Sequence, residues 1–284
     1  MTEKNDNATA LARILARTPS EKVITPKAWD LLVQDVVACA KASSGLLNIF
    51  GEVGSGKTSF AAILTTAAKQ HVDVIAIAPA SQIKDHGWLL KAIAPWLSSE
   101  SNDTKAIQKK LSSLSETERS ILIVIDGGDF IADDQLSGDL AAILNLSSHA
   151  GVKLAVVVLA AEQKLSNVLT DQRLAGKILL HRALPGLQTR QLIELIETKI
   201  LAAGTAKGAI TPTDVAKIAE QSLGKPLLAL NLLARKLGLS VVATSMTSDH
   251  TKEAKVPTRQ KHHTNDLIDI EDLLTPQKHG STQK

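Results

Sequence analysis

Eight residues in the first quarter of the chain constrain it more than anything else. Gly51-Glu52-Val53-Gly54-Ser55-Gly56-Lys57-Thr58 satisfies G-x-x-x-x-G-K-[ST] at every fixed position. Such a loop works in one setting: a buried strand delivers it and a helix leaves it. The glycines let the backbone curl so that amides point inward at phosphate oxygens, and the helix adds the positive end of its dipole. The flanks agree. Leu46–Phe50 is an apolar run that stops at Gly51, and Phe60, Ile63 and Leu64 follow at helical spacing. Gly51, Glu52, Val53, Gly54, Ser55, Gly56, Lys57, Thr58 and Ser59 are therefore expected to line a nucleotide's phosphates. Lys57 is expected to reach the β- and γ-phosphates, and Thr58 to hold Mg2+ through its hydroxyl.

The rest of the chain has the rhythm this setting needs. Apolar runs at Val72–Ala78, Ile121–Ile125, Lys153–Ala160 and Ile178–Leu180 alternate with helical patterns at 27–42, 87–97, 104–114 and 135–147. Aromatic residues make up 2% of the chain and tyrosine is absent, so the core must be built from Leu, Ile, Val and Ala. That suits parallel strands covered on both faces by helices. After Pro185-Gly186 the pattern turns all-helical, at 188–203, 212–222 and 226–237, with Thr211 or Thr213 placed to cap the second of these. The expected organisation is a flexible segment at 1–24, a P-loop domain at 25–185, a helical lid at 186–240 and a disordered tail at 241–284.

A second motif supports the first. Ile121-Leu122-Ile123-Val124-Ile125-Asp126 is an apolar strand ending in a carboxylate, the Walker B pattern. Asp126 is expected at the carboxyl end of a parallel strand beside the loop, binding Mg2+. Because the run at 72–78 intervenes, the expected class is the one in which the Walker B strand is not next in sequence to the P-loop strand.

These residues resemble the AAA+ ATPases of the general secretion pathway A type, which serve type II secretion and pilus biogenesis and are related to transposon ATP-binding proteins. The matches are GEVGSGKT at 51–58, Ile77-Ala78-Pro79 with Leu89-Leu90, Leu154–Leu165 as the sensor-1 strand and following turn, Ile178–Leu187, Ala202-Ala203-Gly204, and Gly224-Lys225-Pro226 with Asn231. The resemblance implies ATP rather than GTP, a view the absence of an N-K-x-D guanine motif does not oppose. It also implies an ASCE/AAA+ fold with a small lid, a homo-oligomer and a cytoplasmic location. Three positions depart from the family. Gly127 stands where the family carries the glutamate that polarises the attacking water, and Leu227 where it carries an arginine reaching the γ-phosphate. Lys177 replaces an arginine before the lid, with Arg173 and Arg182 nearby. Asp129 is the candidate substitute for the glutamate and Glu162 the candidate sensor-1 residue. An arginine finger can be worth about 10³–10⁵ in rate, so the expectation is a slow ATPase or a nucleotide-dependent switch. The alternative is ordinary turnover restored by Asp129 and a partner's arginine.

Other features narrow the function less. Cys39 is the lone cysteine, so no disulfide can form within the chain, and it is expected as a small core residue. The N-terminus lacks an apolar signal region, and no run approaches the roughly 18 residues of a membrane helix. A net charge of +3 is too small to imply nucleic acid by itself. The tail carries a basic block at Lys252, Lys255, Arg259, Lys261, His262 and His263, then an acidic amphipathic block at Asp266–Leu274 suited to a membrane-bound assembly partner. A zinc site at the His pair is not favoured, nor is DNA, although a DNA-associated ATPase and a non-hydrolysing adaptor remain the rival readings. Trp88 and Trp96 are expected in the core, Asp133 and Asp134 as a helix cap and a solvated charge, and Arg190 and Arg235 on the lid surface.

Overall fold

The structure is a computed structural model that describes residues 24–79, 82–83, 85–97, 104–115, 120–203 and 210–239. Helix α1 (Lys27–Ala42) buries Trp29, Leu32, Val36, Val37 and Ala40 on one stripe. Strand β1 (Gly45–Phe50) enters the loop, and α2 (Lys57–Ala68) leaves it. Then follow β2 (Asp73–Ile77), α3 (Trp88–Ile93), α4 (Thr104–Ser115), β3 (Ile121–Asp126), α5 (Asp133–Ala150), β4 (Leu154–Ala160), α6 (Glu162–Leu169) and β5 (Ile178–Ala183).

All strand pairs are parallel, in the order β2-β3-β4-β1-β5. β4 therefore lies between the loop-bearing strand and β3 in the sheet, while β2 separates those two in sequence, as the apolar run at 72–78 led one to expect. Alternate residues face opposite layers. Ile121, Ile123 and Ile125 of β3 pack with α3 to α6, while Leu122 and Val124 pack with α1 and α2. Burial on both faces is why the strands read as unbroken apolar runs. The register also sets the ends: Asp126 lies opposite Leu159, and Phe50 opposite Ala160, so both motifs finish at one rim of the sheet.

Two elements differ from the sequence reading. β5 continues to Ala183, three residues beyond the apolar run, because an edge strand keeps pairing with β1 through His181 and Arg182. The segment after β4 is a helix and not a turn: α6 starts at Glu162, with Leu165 and Val168 buried. α7 (Thr189–Ala203), α8 (Pro212–Gln221) and α9 (Pro226–Lys236) share a separate apolar core around Leu192, Ile196, Ile218, Leu230 and Leu233. Thr211, not Thr213, caps α8, in a reciprocal box with Asp214. Trp88 is buried, Trp96 and Cys39 pack on the cores half-buried, and Arg190 and Arg235 are exposed. Asp133 lies in the first turn of α5, where it bonds Lys164 and Asn167 and does not cap the helix, whose N-cap residue is Ala132. Gly204, the segment 1–23 and both charged blocks of the tail lie outside the described residues. No described helix is long and apolar enough to cross a membrane.

Candidate functional site

The loop between β1 and α2 closes on itself. Gly54 and Gly56 take φ of +79° and +98°, a left-handed region that side chains rarely adopt. The Lys57 ammonium donates to the carbonyls of Gly51 at 2.7 Å and Glu52 at 3.2 Å. Ser55 is buried, and its Oγ has no protein hydrogen-bond partner. Val53 stands out at 84% exposure. From below, Trp29 of α1 braces the loop. A Cβ on Gly56 would lie 3.1 Å from the indole, whose N–H donates to the Pro185 carbonyl at 2.8 Å. Its ring meets Phe60 edge-on with centroids 5.5 Å apart.

The two motifs meet through side chains. Thr58 comes close enough to the Asp126 carboxylate for its hydroxyl to favour the ionised form. Burial pushes the Asp126 carboxyl above its ordinary value of 3.8; the Thr58 hydroxyl and the Lys57 charge pull it down, and Asp129 adds to the rise. A raised acid is less favourable ionised in the folded chain than in the unfolded one. Ionised Asp126 therefore costs stability at neutral pH, and that cost disappears as pH falls from the raised native value through 3.8. Asp126→Asn is expected to raise the melting temperature of the ligand-free chain at pH 7 by about 1–3 °C. The advantage is expected to vanish as pH is lowered into the carboxylate range. Thermal melts of both proteins across pH 3–8 check this, and a variant less stable at pH 7 would contradict it.

After Asp126 the backbone turns sharply. Gly127 has φ +103°, and Gly128 is pressed against β4, where a Cβ would fall 2.7 Å from Val158 Cγ1. The turn brings Asp129 to the end of β4, and its Oδ1 accepts the Ala161 N–H at 2.8 Å. Asp129 thus fastens β3 to the β4–α6 junction while remaining exposed and close enough to act on Asp126. Glu162, the first residue of α6, is also exposed and is not among the groups that shift Asp126.

The other cations named from the sequence are placed elsewhere. Arg173 pairs with Asp171, Arg182 with Asp35, and Lys177 bonds Asn145. Leu227 is against the loop: its N–H donates to the Gly54 carbonyl at 3.3 Å, and a Cβ on Gly54 would lie 2.7 Å from Leu227 Cβ. Lys225 pairs with the Glu52 carboxylate.

The donor set fits a nucleoside triphosphate with Mg2+. Curled amides, an unpartnered buried hydroxyl and a lysine line the loop, with a hydroxyl–carboxylate pair beside it. Among the described residues no group of three or more His, Cys, Asp or Glu side chains is placed to hold a metal unaided. A magnesium shell here would be completed by phosphate oxygens and water. The sequence reading missed Trp29 as the brace and Lys225 as the loop's partner. Lys225 had a signal, a cation two residues before the position where the family's arginine is lacking.

Residues 40–169 match the family model described as AAA domain. No curated protein matches the chain in sequence. Among solved structures it is similar to Cdc6p from Pyrobaculum aerophilum, with TM-score 0.54 and 17% identity over 80% of this chain and 65% of that one. It is similar to the Aeropyrum pernix ORC1 protein, solved in complex with DNA, with TM-score 0.55 and 20% identity over 79% and 62%. It is also similar to the Aeropyrum pernix ORC2 protein in its ADP form, with TM-score 0.51 and 16% identity over 80% and 65%. The chain spans less than two thirds of the length of each. The fold is the α/β parallel-sheet fold of AAA+ P-loop NTPases.

Proposed function

We propose that this chain binds ATP with Mg2+ at Gly51–Ser59 and works as a nucleotide-dependent switch with slow hydrolysis. In this reading residues 25–185 form the ATPase domain and 186–240 a lid, with the nucleotide between them. Lys57, the loop amides and Ser55 would hold the phosphates, and Thr58 and Asp126 would hold Mg2+, which neutralises phosphate charge when bound. The observation that carries the reading is that Thr58 and the Asp126 carboxylate come together beside Lys57. It joins an intact binding half to a hydrolytic half in which Gly127 and Leu227 occupy the family's two catalytic positions. Asp129 would be the residue to orient water, held by Ala161 at one oxygen and exposed at the other side.

The finer role, service to a secretion or pilus assembly through a membrane-bound partner, rests on the motif resemblance. Steady-state hydrolysis against protein concentration, with Lys57→Ala as control, tests the reading. Slow turnover that vanishes in the control supports it, and a rise with concentration supports a site completed by a neighbouring subunit. Fast turnover at all concentrations contradicts the switch. ATP-dependent DNA binding that falls steeply with salt would favour the DNA-associated role instead.

Reinstalling the family's carboxylate is expected to fail. Gly127→Glu puts a side chain at φ +103°, with its Cβ 3.0 Å from Phe130 Cδ2. Strain of about 1–2 kcal/mol follows. The expected result is a lower melting temperature with no gain in kcat, read by thermal melts and phosphate release.

A further inference from the structure

Helix α6 grips the turn after β3 at three points. Ala161, its N-cap residue, donates its N–H to Asp129 Oδ1 at 2.8 Å. Three residues on, the Lys164 ammonium bonds both the Ile131 carbonyl and the Asp133 carboxylate. Three further on, the Asn167 amide donates to the second Asp133 oxygen at 2.5 Å. Steps of three keep these groups on one side of the helix. The backbone of Ile83 stitches the turn from elsewhere: its N–H donates to the Phe130 carbonyl at 2.8 Å, and its carbonyl accepts from Ala132 at 3.4 Å. Asp129 needs such holding. Gly127 and Gly128 precede it, and glycine is the residue with the most backbone freedom to lose. Lys164 is the side chain that ties two points of the turn at once. It is well sheltered, at 13% exposure. Its bond does most to hold the Asp133 carboxyl below the ordinary 3.8, so the pair is ionised at neutral pH. An ion pair whose acid is half exposed adds little stability. Its effect is on where the turn sits.

We propose that Lys164 is the positioning residue for Asp129: by fixing the Ile131 carbonyl and Asp133 against α6, it keeps the Asp129 carboxylate with one oxygen on Ala161 and the other turned to the attacking water. This rests on the slow-hydrolysis reading above, in which Asp129 orients that water. Phosphate release by the full chain at varied MgATP tests it, using the unmodified protein, Lys164→Met, Lys164→Arg, Asp129→Ala and the double variant Lys164→Met with Asp129→Ala. Methionine keeps an unbranched apolar stem, so Lys164→Met is expected to fold, and a thermal melt checks this. A displaced water-orienting group loses rate steeply, so kcat is expected to fall about tenfold in Lys164→Met, with KM changed by less than about threefold. Lys164→Arg, with donors enough for both acceptors, is expected to hold kcat within about twofold of the unmodified chain. In the Asp129→Ala background, Lys164→Met is expected to change kcat by less than about twofold, because residues that act as a unit are not additive. A merely structural loss would carry into that background. Amide exchange at Ala161, whose N–H bonds Asp129, gives a readout apart from turnover: it is expected to quicken in Lys164→Met and recover in Lys164→Arg. A raised KM with kcat kept, an undiminished loss in the Asp129→Ala background, or unchanged exchange at Ala161 overturns the role of Lys164 while slow hydrolysis stands. An unmodified chain that binds MgATP but releases no more phosphate than Lys57→Ala refutes the hydrolysis reading, and the role of Lys164 with it.

Discussion

Lys57→Ala is expected to erase the thermal stabilisation that MgATP gives the chain while leaving the ligand-free melting temperature almost unchanged. A ligand at 100 times its Kd stabilises a folded protein by about 2.7 kcal/mol. In a domain of this size each kcal/mol is about 2–4 °C, so the unmodified chain is expected to gain roughly 5–10 °C. Lys57 contributes little without nucleotide. Its ammonium bonds the carbonyls of Gly51 and Glu52 in an exposed loop, and water replaces it there. The same group should matter greatly with phosphate in place, because a charge-assisted bond in a cradle of amides has no aqueous substitute of equal strength. Thermal melts with and without MgATP measure both halves. A variant that still gains several degrees would move the nucleotide away from this loop.

Trp29→Ala is expected to produce the largest loss of stability of any substitution discussed, about 3–5 kcal/mol. The side chain is 2% exposed and touches three parts of the molecule at once. Its six-membered ring lies against Gly56, the indole meets Phe60 at a near right angle, and its N–H holds the Pro185 carbonyl. Truncation therefore opens a cavity under the phosphate loop and frees the strand exit after β5 together. Trp29→Phe separates these effects. It retains an aromatic ring near Phe60 but drops the hydrogen bond, an expected loss of about 1 kcal/mol plus a smaller cavity. Urea unfolding gives both values. Nucleotide affinity is expected to fall in the alanine variant, because the loop loses its floor, and to fall less in the phenylalanine variant.

Much of the fold was legible because its signals are local. A phosphate loop needs a strand before it and a helix after it, and the apolar run at 46–50 and the spacing after Ser59 supplied both. β3 and its terminal Asp126 were readable because a strand buried on both faces leaves a continuous apolar run. The start of α8 was legible from Thr211 or Thr213 as a cap, but the reciprocal bond with Asp214 that selects Thr211 was not. What was not legible depends on residues far apart in the chain. Nothing near Trp29 says that Gly56 and Pro185 will be its neighbours. α6 has only Leu165 and Val168 as buried anchors among eight residues, too few to show a period. β5 was read short because His181 and Arg182 look like loop residues, although backbone pairing continues through them. Asp129 was singled out as a substitute carboxylate, but its bond to Ala161 could not be read from spacing. Lys225 was quoted only within the Gly224-Lys225-Pro226 match, and its pairing with Glu52 needs the start of α9 to pack beside the loop.

The turn after β3 also sets how this chain can change. With Gly127 left-handed and Gly128 flush against Val158, the backbone has taken a course that no single codon change can reverse into a working glutamate. A lineage carrying this turn would have to rebuild Phe130 and the path to Asp129 before the acid became usable, passing through less stable forms on the way. In the vocabulary of adaptation, the site sits behind a ratchet. Asp129, exposed and held through a single backbone bond, is the position in this turn that substitution alters at least cost.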